Sequence, residues 1–416
     1  MQVADGSGVQ ARNGKATIVI IAAALIISAA MGARQTFGLF LDSFAVDRGI
    51  PVAVFALAIA LHNLVWGLAQ PLAGAAADRC GAAPVVAVGA LSYAAGLTIA
   101  AVTHSEVTLV LGMGLLVGLG MSCTTFGVVL TAVGRSASPE KRSLAMGLAS
   151  AGGSLGQVAL VPLTQLGAEA WGPTMSLCML AALLAAAAPL GVLLDRRSPA
   201  VAPANELRTP GLGEILSQAV RHPGYRLLTI GFFTCGFQLA FIGTYLPGYL
   251  TLCHMPVGLG ATALSLIGFF NMIGSWGCGW LGGRFRQQHV LGWLYLIRGV
   301  AIAAFFMLPK SEMSVVTFAA VMGLTWLGTV PLTSGWVAKV FGTRHLGTLF
   351  GVCFFSHQIG SFLGAWLGGF LFEITGSYSL IWALTAAAGA MAALLHFPIK
   401  DKPAQGLVGI SGASVA

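Results

Sequence analysis

Arg34 stands in the stretch AAMGARQTFGLFLD (Ala29–Asp42), inside an apolar run that begins near Thr17 and several residues short of its polar end. A guanidinium at the centre of a membrane helix costs roughly 2.5–3.5 kcal/mol on insertion scales. Its planar fork of donors matches a carboxylate or a phosphate, so the chemistry it offers is capture of an anion. All 13 acids of the chain lie in tails, loops or the ends of apolar runs, so Arg34 has no carboxylate at its own depth. The competing readings are snorkelling to the interface and a pairing with Asp42, about two helical turns along.

Other polar residues recur at helical spacing within apolar runs. Asn63 and Gln70 are seven apart, with His62 adjacent; Ser150, Ser154 and Gln157 make one narrow stripe. Gln238 and Tyr245 are again seven apart, Asn271 and Ser275 four apart, and His357 shares a face with Ser361 beside Gln358. Each is open to two readings: an interhelical hydrogen bond, worth about 0.6 kcal/mol, or one wall of a polar cavity. On the cavity reading the substrate-binding candidates are Arg34, Asn63, Gln157, Gln238, Tyr245, Asn271, His357 and Gln358. His62 and His357 are the two histidines inside such runs, and an imidazole can take up a proton near neutral pH. They are the proton-coupling candidates, His357 foremost.

Several function classes drop out. The sequence has no nucleophile–base constellation, no nucleotide-binding fingerprint and no metal-ligand spacing, so no enzyme, cofactor, metal or ATP is expected. The seven cysteines are scattered, mostly in apolar segments, and read as small packing residues.

The elements that must position these groups follow from composition. The 416 residues are 57% hydrophobic and 8% charged, with mean hydropathy +0.87. Soluble domains carry roughly 25% charged residues, so most of this chain cannot face water. Apolar runs long enough to cross a bilayer fall near 17–41, 52–77, 84–103, 107–133, 143–167 and 173–194. A second set lies near 225–251, 258–282, 289–308, 313–340, 346–372 and 378–398. The fold class is an all-α polytopic membrane protein of 12 transmembrane helices in two six-helix bundles. Its parts are an N-terminal tail (1–16), a first bundle (17–194), a central linker (195–224), a second bundle (225–399) and a C-terminal tail (400–416). The first apolar run lacks a small-residue cleavage site and reads as the first span rather than a signal peptide.

Seventeen of the 21 Lys and Arg fall in the tails and one set of loops, two in the opposite loops, and two, Arg34 and Arg298, within spans. The positive-inside rule places both termini in the cytoplasm of a cell membrane, plasma or inner. The net charge of +8 then reflects topology and anionic lipid, and nucleic acid is not implied.

An internal repeat runs through the chain. GAAADRCGA (Gly74–Ala82) and GWLGGRFRQ (Gly279–Gln287) follow the second and eighth spans at an offset of 205. Gly147 and Gly156 match Gly351 and Gly360 at 204, and the same offset aligns Gly32 with Gly236, Phe37 with Phe241 and Arg34 with Gln238. Two parallel repeats imply a substrate site between the halves near the midplane. Gly152, Gly156, Gly360 and Gly364 read as close-packing surfaces for rocking between them.

The GxxxDRxG pattern of Gly74, Asp78, Arg79 and Gly81, between spans 2 and 3 of a 6 + 6 chain, resembles the signature loop of the major facilitator superfamily. Ala82 and Ala83 stand where that signature usually has basic residues, and Gly283 replaces the Asp in the second copy. The resemblance implies conformational gating by Gly74, Asp78, Arg79, Gly81 and Arg284, with the acid near a helix N-terminus and the arginine bridging neighbours. It also implies that Arg298, on span 9, lies outside the cavity as a structural or snorkelling group. Within the superfamily, Arg34 before an aromatic run is similar to the helix 1 basic residue of the monocarboxylate porters and oxalate–formate antiporters. Their second basic residue, in helix 8 or 11, has no counterpart: Asn271, His357 and Gln358 stand there instead. Span 4 also lacks the arginine common in drug-exporting antiporters.

The expected function is secondary active transport of a small organic anion, best a monocarboxylate, by alternating access, with protons as a possible co-substrate. Export of drug-like compounds and ligand sensing without transport are the alternatives.

Overall fold

The computed structural model describes residues 6–40, 43–194, 211–256 and 259–401. Among these residues the secondary structure is helical, without strands. Water-free surroundings leave a backbone no partner but itself, which is why apolar segments of this length become helices. We number the long helices α1 (Gly6–Gln35), α2 (Val52–Cys80), α3 (Ala82–Val102), α4 (Glu106–Ser136), α5 (Arg142–Trp171) and α6 (Pro173–Leu194). The second set is α7 (Pro223–Leu252), α8 (Leu259–Arg284), α9 (Gln287–Met307), α10 (Glu312–Phe341), α11 (Leu346–Thr375) and α12 (Ser379–His396). Eleven of these helical stretches are long and apolar enough to cross a membrane, and α2, 29 residues long, packs among them as the twelfth. The described part of the linker holds a short amphipathic helix, Leu212–Arg221, with Ile215 and Ala219 buried. Leu25, Leu72, Val88, Leu163, Val192 and Leu394 are exposed around the outside, a surface suited to lipid chains rather than water.

The repeat appears as packing. Within the first half α1 lies along α5, and within the second α7 lies along α11; across the halves α2 meets α11 and α5 meets α8. Small residues bring these backbones together. A Cβ added at Gly156 would stand 2.1 Å from the Ser28 carbonyl oxygen, and one at Gly360 2.1 Å from that of Phe233. The pairs Gly152/Gly156 and Gly360/Gly364 therefore seal helices inside each half. The surfaces between halves are made by other glycines: Gly74 against Gly347, and Gly147 against Gly279. The sequence expectation of a rocking surface at the first set is corrected accordingly, because a glycine pattern marks close approach without saying to which neighbour.

Both halves interrupt the helix that follows the third. α4 breaks at Thr125, where the backbone is extended, and α10 breaks between Thr325 and Thr329, which aligns with Thr125 at the 204 offset. Freed backbone groups at such breaks need side-chain partners. Gln70 donates to the Ser122 carbonyl at 2.9 Å in the first half, and the Leu327 N–H donates to Asn271 Oδ1 at 2.9 Å in the second.

The cross-half bonds cluster at the end that carries Arg79, Arg135, Lys339 and Arg344, here called the basic end. From there they reach the level of Asn63–Gln358 and Ser154–Asn271. Toward the opposite end, Cβ atoms built at Gly38 on the α1 side and Gly243 on α7 would meet nothing within 4 Å. Among the described residues the halves are closed on each other at the basic end. A Cβ on Gly74 would sit 2.1 Å from the Gly347 carbonyl oxygen. Gly74→Val is therefore expected to wedge α2 from α11, read as a longer spin-label distance between their basic ends.

Candidate functional site

α1 ends in a tight turn, Phe37–Phe40, which buries Phe37 and Phe40 and stops the helix just past Arg34. Arg34 is thereby held against α2. Its Nε donates to His62 Nε2 at 3.3 Å, its Nη2 donates to Asn63 Oδ1 at 3.1 Å, and its guanidinium lies 5.8 Å from the Trp66 ring centroid. Both acceptors are neutral, and Nη1 reaches no protein acceptor among the described residues. Among those residues the ion pairs are Asp78–Arg135 and Lys339–Asp401, so no described carboxylate neutralises Arg34. Asp42, the alternative partner, lies outside the described residues. Arg34 is half-buried, whereas His62 is buried with Phe37 edge-on at 5.9 Å. Because His62 Nε2 accepts from a cation, it carries the lone pair, and the ring is neutral in this arrangement.

The far wall comes from α11. Gln358 donates through Nε2 to the Asn63 carbonyl at 3.1 Å, which joins the halves beside Arg34. Phe354 packs on Trp66 at 4.9 Å, and Trp66 Nε1 is held by Gln70 Oε1 and Thr125 Oγ1. His357 stacks on Phe354 at 5.2 Å, and its Nδ1 lies 3.2 Å from Gln358 Oε1. Arg34, His62, Asn63, His357 and Gln358 thus form one contiguous polar and aromatic group across the two halves.

The remaining candidates go elsewhere. Gln238 is fully buried inside the second half, donating to the Thr385 carbonyl at 3.0 Å and accepting from Arg298 at 3.4 Å. It is corrected from cavity lining to a bundle residue, because Arg298, with no acid paired to it among the described residues, takes Gln238 Oε1 as one of its acceptors. Arg298 is itself fully buried, which rules out snorkelling; it also donates to the Thr325 carbonyl and, at 3.0 Å, to that of Trp326, the oxygens released by the α10 break. Tyr245 donates to the Ala365 carbonyl at 2.6 Å within the same half, and is corrected likewise. Asn271 is a strut between halves, donating to Ser154 Oγ at 2.8 Å. Gln157 is half-buried on α5, and no hydrogen bond ties it among the described residues. Trp66, Thr125 and Phe354 complete the group around Arg34; an aromatic in an apolar run gives no signal in sequence that distinguishes it from core.

The signature loop forms a lock at the basic end. Gly81, at φ +91°, makes the sharp passage from α2 to α3. Asp78 accepts from the N–H groups of Gly347 and Thr348 at 3.1 and 2.8 Å, and from Thr348 Oγ1 at 2.8 Å. A carboxylate from one half thus caps the first turn of α11 in the other, where the helix dipole favours negative charge. Its counter-ion is Arg135 at 2.6 Å, which also donates to the Thr343 and Arg344 carbonyls at 3.0 and 2.6 Å. Arg79 is exposed with no hydrogen bond or ion pair among the described residues. The bridging role assigned to Arg79 is therefore corrected to Arg135, which the repeat signals through Lys339 at the 204 offset. Arg284 lies exposed over Trp280 at 4.2 Å and does not enter the cross-half lock, a second correction: with Gly283 in place of an acid it has no partner to bridge.

A family model described as the Major Facilitator Superfamily matches residues 23–365. The uncharacterised MFS-type transporter YcxA of Bacillus subtilis is 24% identical over 383 residues, covering 89% of this chain and 91% of the relative. Monocarboxylate transporter 13 of Bos taurus is 27% identical over 396 residues, covering 91% of this chain and 89% of the relative. Among solved structures, the fucose:proton symporter of E. coli superposes with a TM-score of 0.72 at 15% identity, covering 91% of this chain and 97% of that one. Twelve long helices among the described residues, in two repeated halves, a lock of one half on the other and a family match over most of the chain lead to one conclusion: this chain belongs to the major facilitator superfamily, as a membrane transporter and not an enzyme.

Proposed function

We propose that the protein carries a small organic anion, a monocarboxylate, by alternating access, with Arg34 as the group that grips the carboxylate. The observation that carries this reading is that Arg34 has only neutral protein partners, His62 and Asn63, and an Nη1 with no acceptor among the described residues. A carboxylate arriving there would supply the missing charge through charge-assisted hydrogen bonds. Trp66 and Phe354 offer its remainder an apolar wall. The relatives named as monocarboxylate transporters support the substrate class.

Orientation follows the charge asymmetry: the basic end and both termini face the cytoplasm across the cell membrane, so the arrangement described is shut toward the cytoplasm. Transport then requires the Asp78 lock to open while the opposite end closes over the anion, the two halves of 17–194 and 225–399 rocking about the site and the linker 195–224 joining them.

Proton coupling fits at His62. Protonating it removes the lone pair that accepts from Arg34 and sets two cations side by side, a state that an incoming carboxylate relieves. Anion and proton therefore favour each other's binding, which is the requirement of symport. His357, packed on Phe354 and beside Gln358, takes second place.

The test is flux into proteoliposomes of labelled lactate, pyruvate or an aromatic acid, with and without an inward proton gradient. Gradient-stimulated uptake is expected, and His62→Gln is expected to lose most of the gradient response while still binding anion. Movement of lipophilic cations instead would establish the drug-export alternative, and binding without flux the sensor.

A further inference from the structure

The lock at the basic end is built twice by the repeat but completed by protein only once. The counterparts of Asp78, Arg79, Gly347 and Arg135 are Gly283, Arg284, Ser143 and Lys339, at offsets of 205 or 204. Asp78 caps α11, whereas α5 begins at Arg142 with no side-chain cap and no acid in its first turn. The cations are kept and the carboxylate is gone. At this place lies a cavity of about 510 Å³, lined among others by Arg142, Ser143, Gly283, Arg284, Arg286 and Lys339. Ser143 is 3% exposed and its Oγ has no hydrogen-bond partner. A Cβ built on Gly282 would stand 2.4 Å from that Oγ, which places the hydroxyl against the end of α8. Lys339 is satisfied by Asp401 at 2.7 Å, and Arg142 donates to the Gly134 carbonyl. Arg284 and Arg286 meet no acid among the described residues.

We propose that this socket binds a phosphate-bearing anion, from a lipid headgroup or free in solution, which fastens α8 to the start of α5 as Asp78 fastens α2 to α11. The helix start offers unbonded N–H groups and a favourable dipole, Ser143 offers a hydroxyl donor, and the two arginines supply countercharge. Exposed Trp280 and Phe285 flank the site, as acyl chains beside a bound headgroup would require.

Melting of the purified full-length protein tests this in nanodiscs of phosphatidylcholine, with inorganic phosphate added or with phosphatidylglycerol in the bilayer. A rise in melting temperature with phosphatidylglycerol alone identifies the lipid source, and a rise with inorganic phosphate the free one. Arg284→Gln is expected to raise the half-saturating concentration roughly tenfold, the equivalent of one charge-assisted contact. Arg79→Gln removes the same charge from the first copy, outside the socket, and is expected to leave the response intact. Gly283→Asp places a carboxylate where an added side chain finds ordinary contact with the Glu140 carbonyl at 3.5 Å. It is expected to raise the anion-free melting temperature and abolish the response. Ser143→Ala, which keeps the helix, is expected to weaken the response. No rise with either probe overturns the proposal, as does a loss in Arg79→Gln equal to that in Arg284→Gln, or a full response in Ser143→Ala.

Discussion

Arg34→Gln is expected to reduce carboxylate uptake on the order of 100-fold while leaving the protein folded. Two charge-assisted hydrogen bonds to a carboxylate are together worth about 3 kcal/mol in a partly buried site, which is roughly that factor in affinity. Glutamine still bonds Asn63, so the packing of α1 on α2 survives, and removing a cation from an apolar segment relieves insertion cost. The loss should therefore appear in binding and flux rather than in melting temperature. Arg34→Lys keeps the charge but not the fork, and is expected to retain a minor part of uptake at a raised KM. Labelled-anion uptake by the two variants, beside wild type at equal reconstitution, measures both. Full uptake by Arg34→Gln would remove Arg34 from the site.

Asp78→Asn is expected to shift the protein out of the arrangement described here, opening the basic end. The Asp78 side chain is 3% exposed and joins the halves through three hydrogen bonds, and its ion pair with Arg135 holds in place an arginine that itself donates to the Thr343 and Arg344 carbonyls of the other half. Removing one member of a buried pair costs about 3–5 kcal/mol; Arg135 is partly solvated, so about 2–3 kcal/mol is the fitting figure. That is enough to move a two-state equilibrium by roughly 30- to 150-fold. Asparagine keeps one acceptor for the α11 N–H groups but turns an NH₂ toward Arg135 or the helix start, where a donor is unwelcome. Distances between spin labels at the basic ends of α2 and α11 should lengthen. Arg79→Gln, with no bonded partner to lose, should leave them unchanged. Unaltered distances in Asp78→Asn would mean that the lock does not set the conformational balance.

The two experiments address different parts of one device. On the proposed reading Arg34 faces the cargo, while Asp78 faces the opposing half. A transporter needs both, since a site that binds anion without a movable lock retains its ligand on one side. The asymmetry between the two copies of the lock has a physical logic. The carboxylate copy is always present, whereas a copy completed by a bound anion, as proposed above, would respond to the surroundings.

Much of this was legible in the residues. Twelve spans follow from apolar runs of membrane length, because a backbone in oil has to satisfy itself in helices. The repeat was visible as an offset near 204, since equivalent glycines meet equivalent neighbours. Arg34 stood out because a lone cation among apolar residues is expensive, and Asp78 because its pattern marks a helix-end contact.

Partners were not legible. Whether a buried polar side chain faces a cavity or a neighbouring helix depends on rotation and depth, which spacing along one helix does not fix. Gln238 and Asn63 look alike in sequence, yet Gln238 serves Arg298 while Asn63 serves Arg34. Arg79 and Arg135 are both loop-end arginines, and only the packing of α4 beside α2 decides that Arg135 meets Asp78. The chain by itself determined that a membrane bundle of two like halves carries a cation within an apolar run of the first, with no acid inside any run. The tertiary structure alone decided which groups surround that cation and which end is shut, because a charge finds its partner through contacts between helices far apart in sequence.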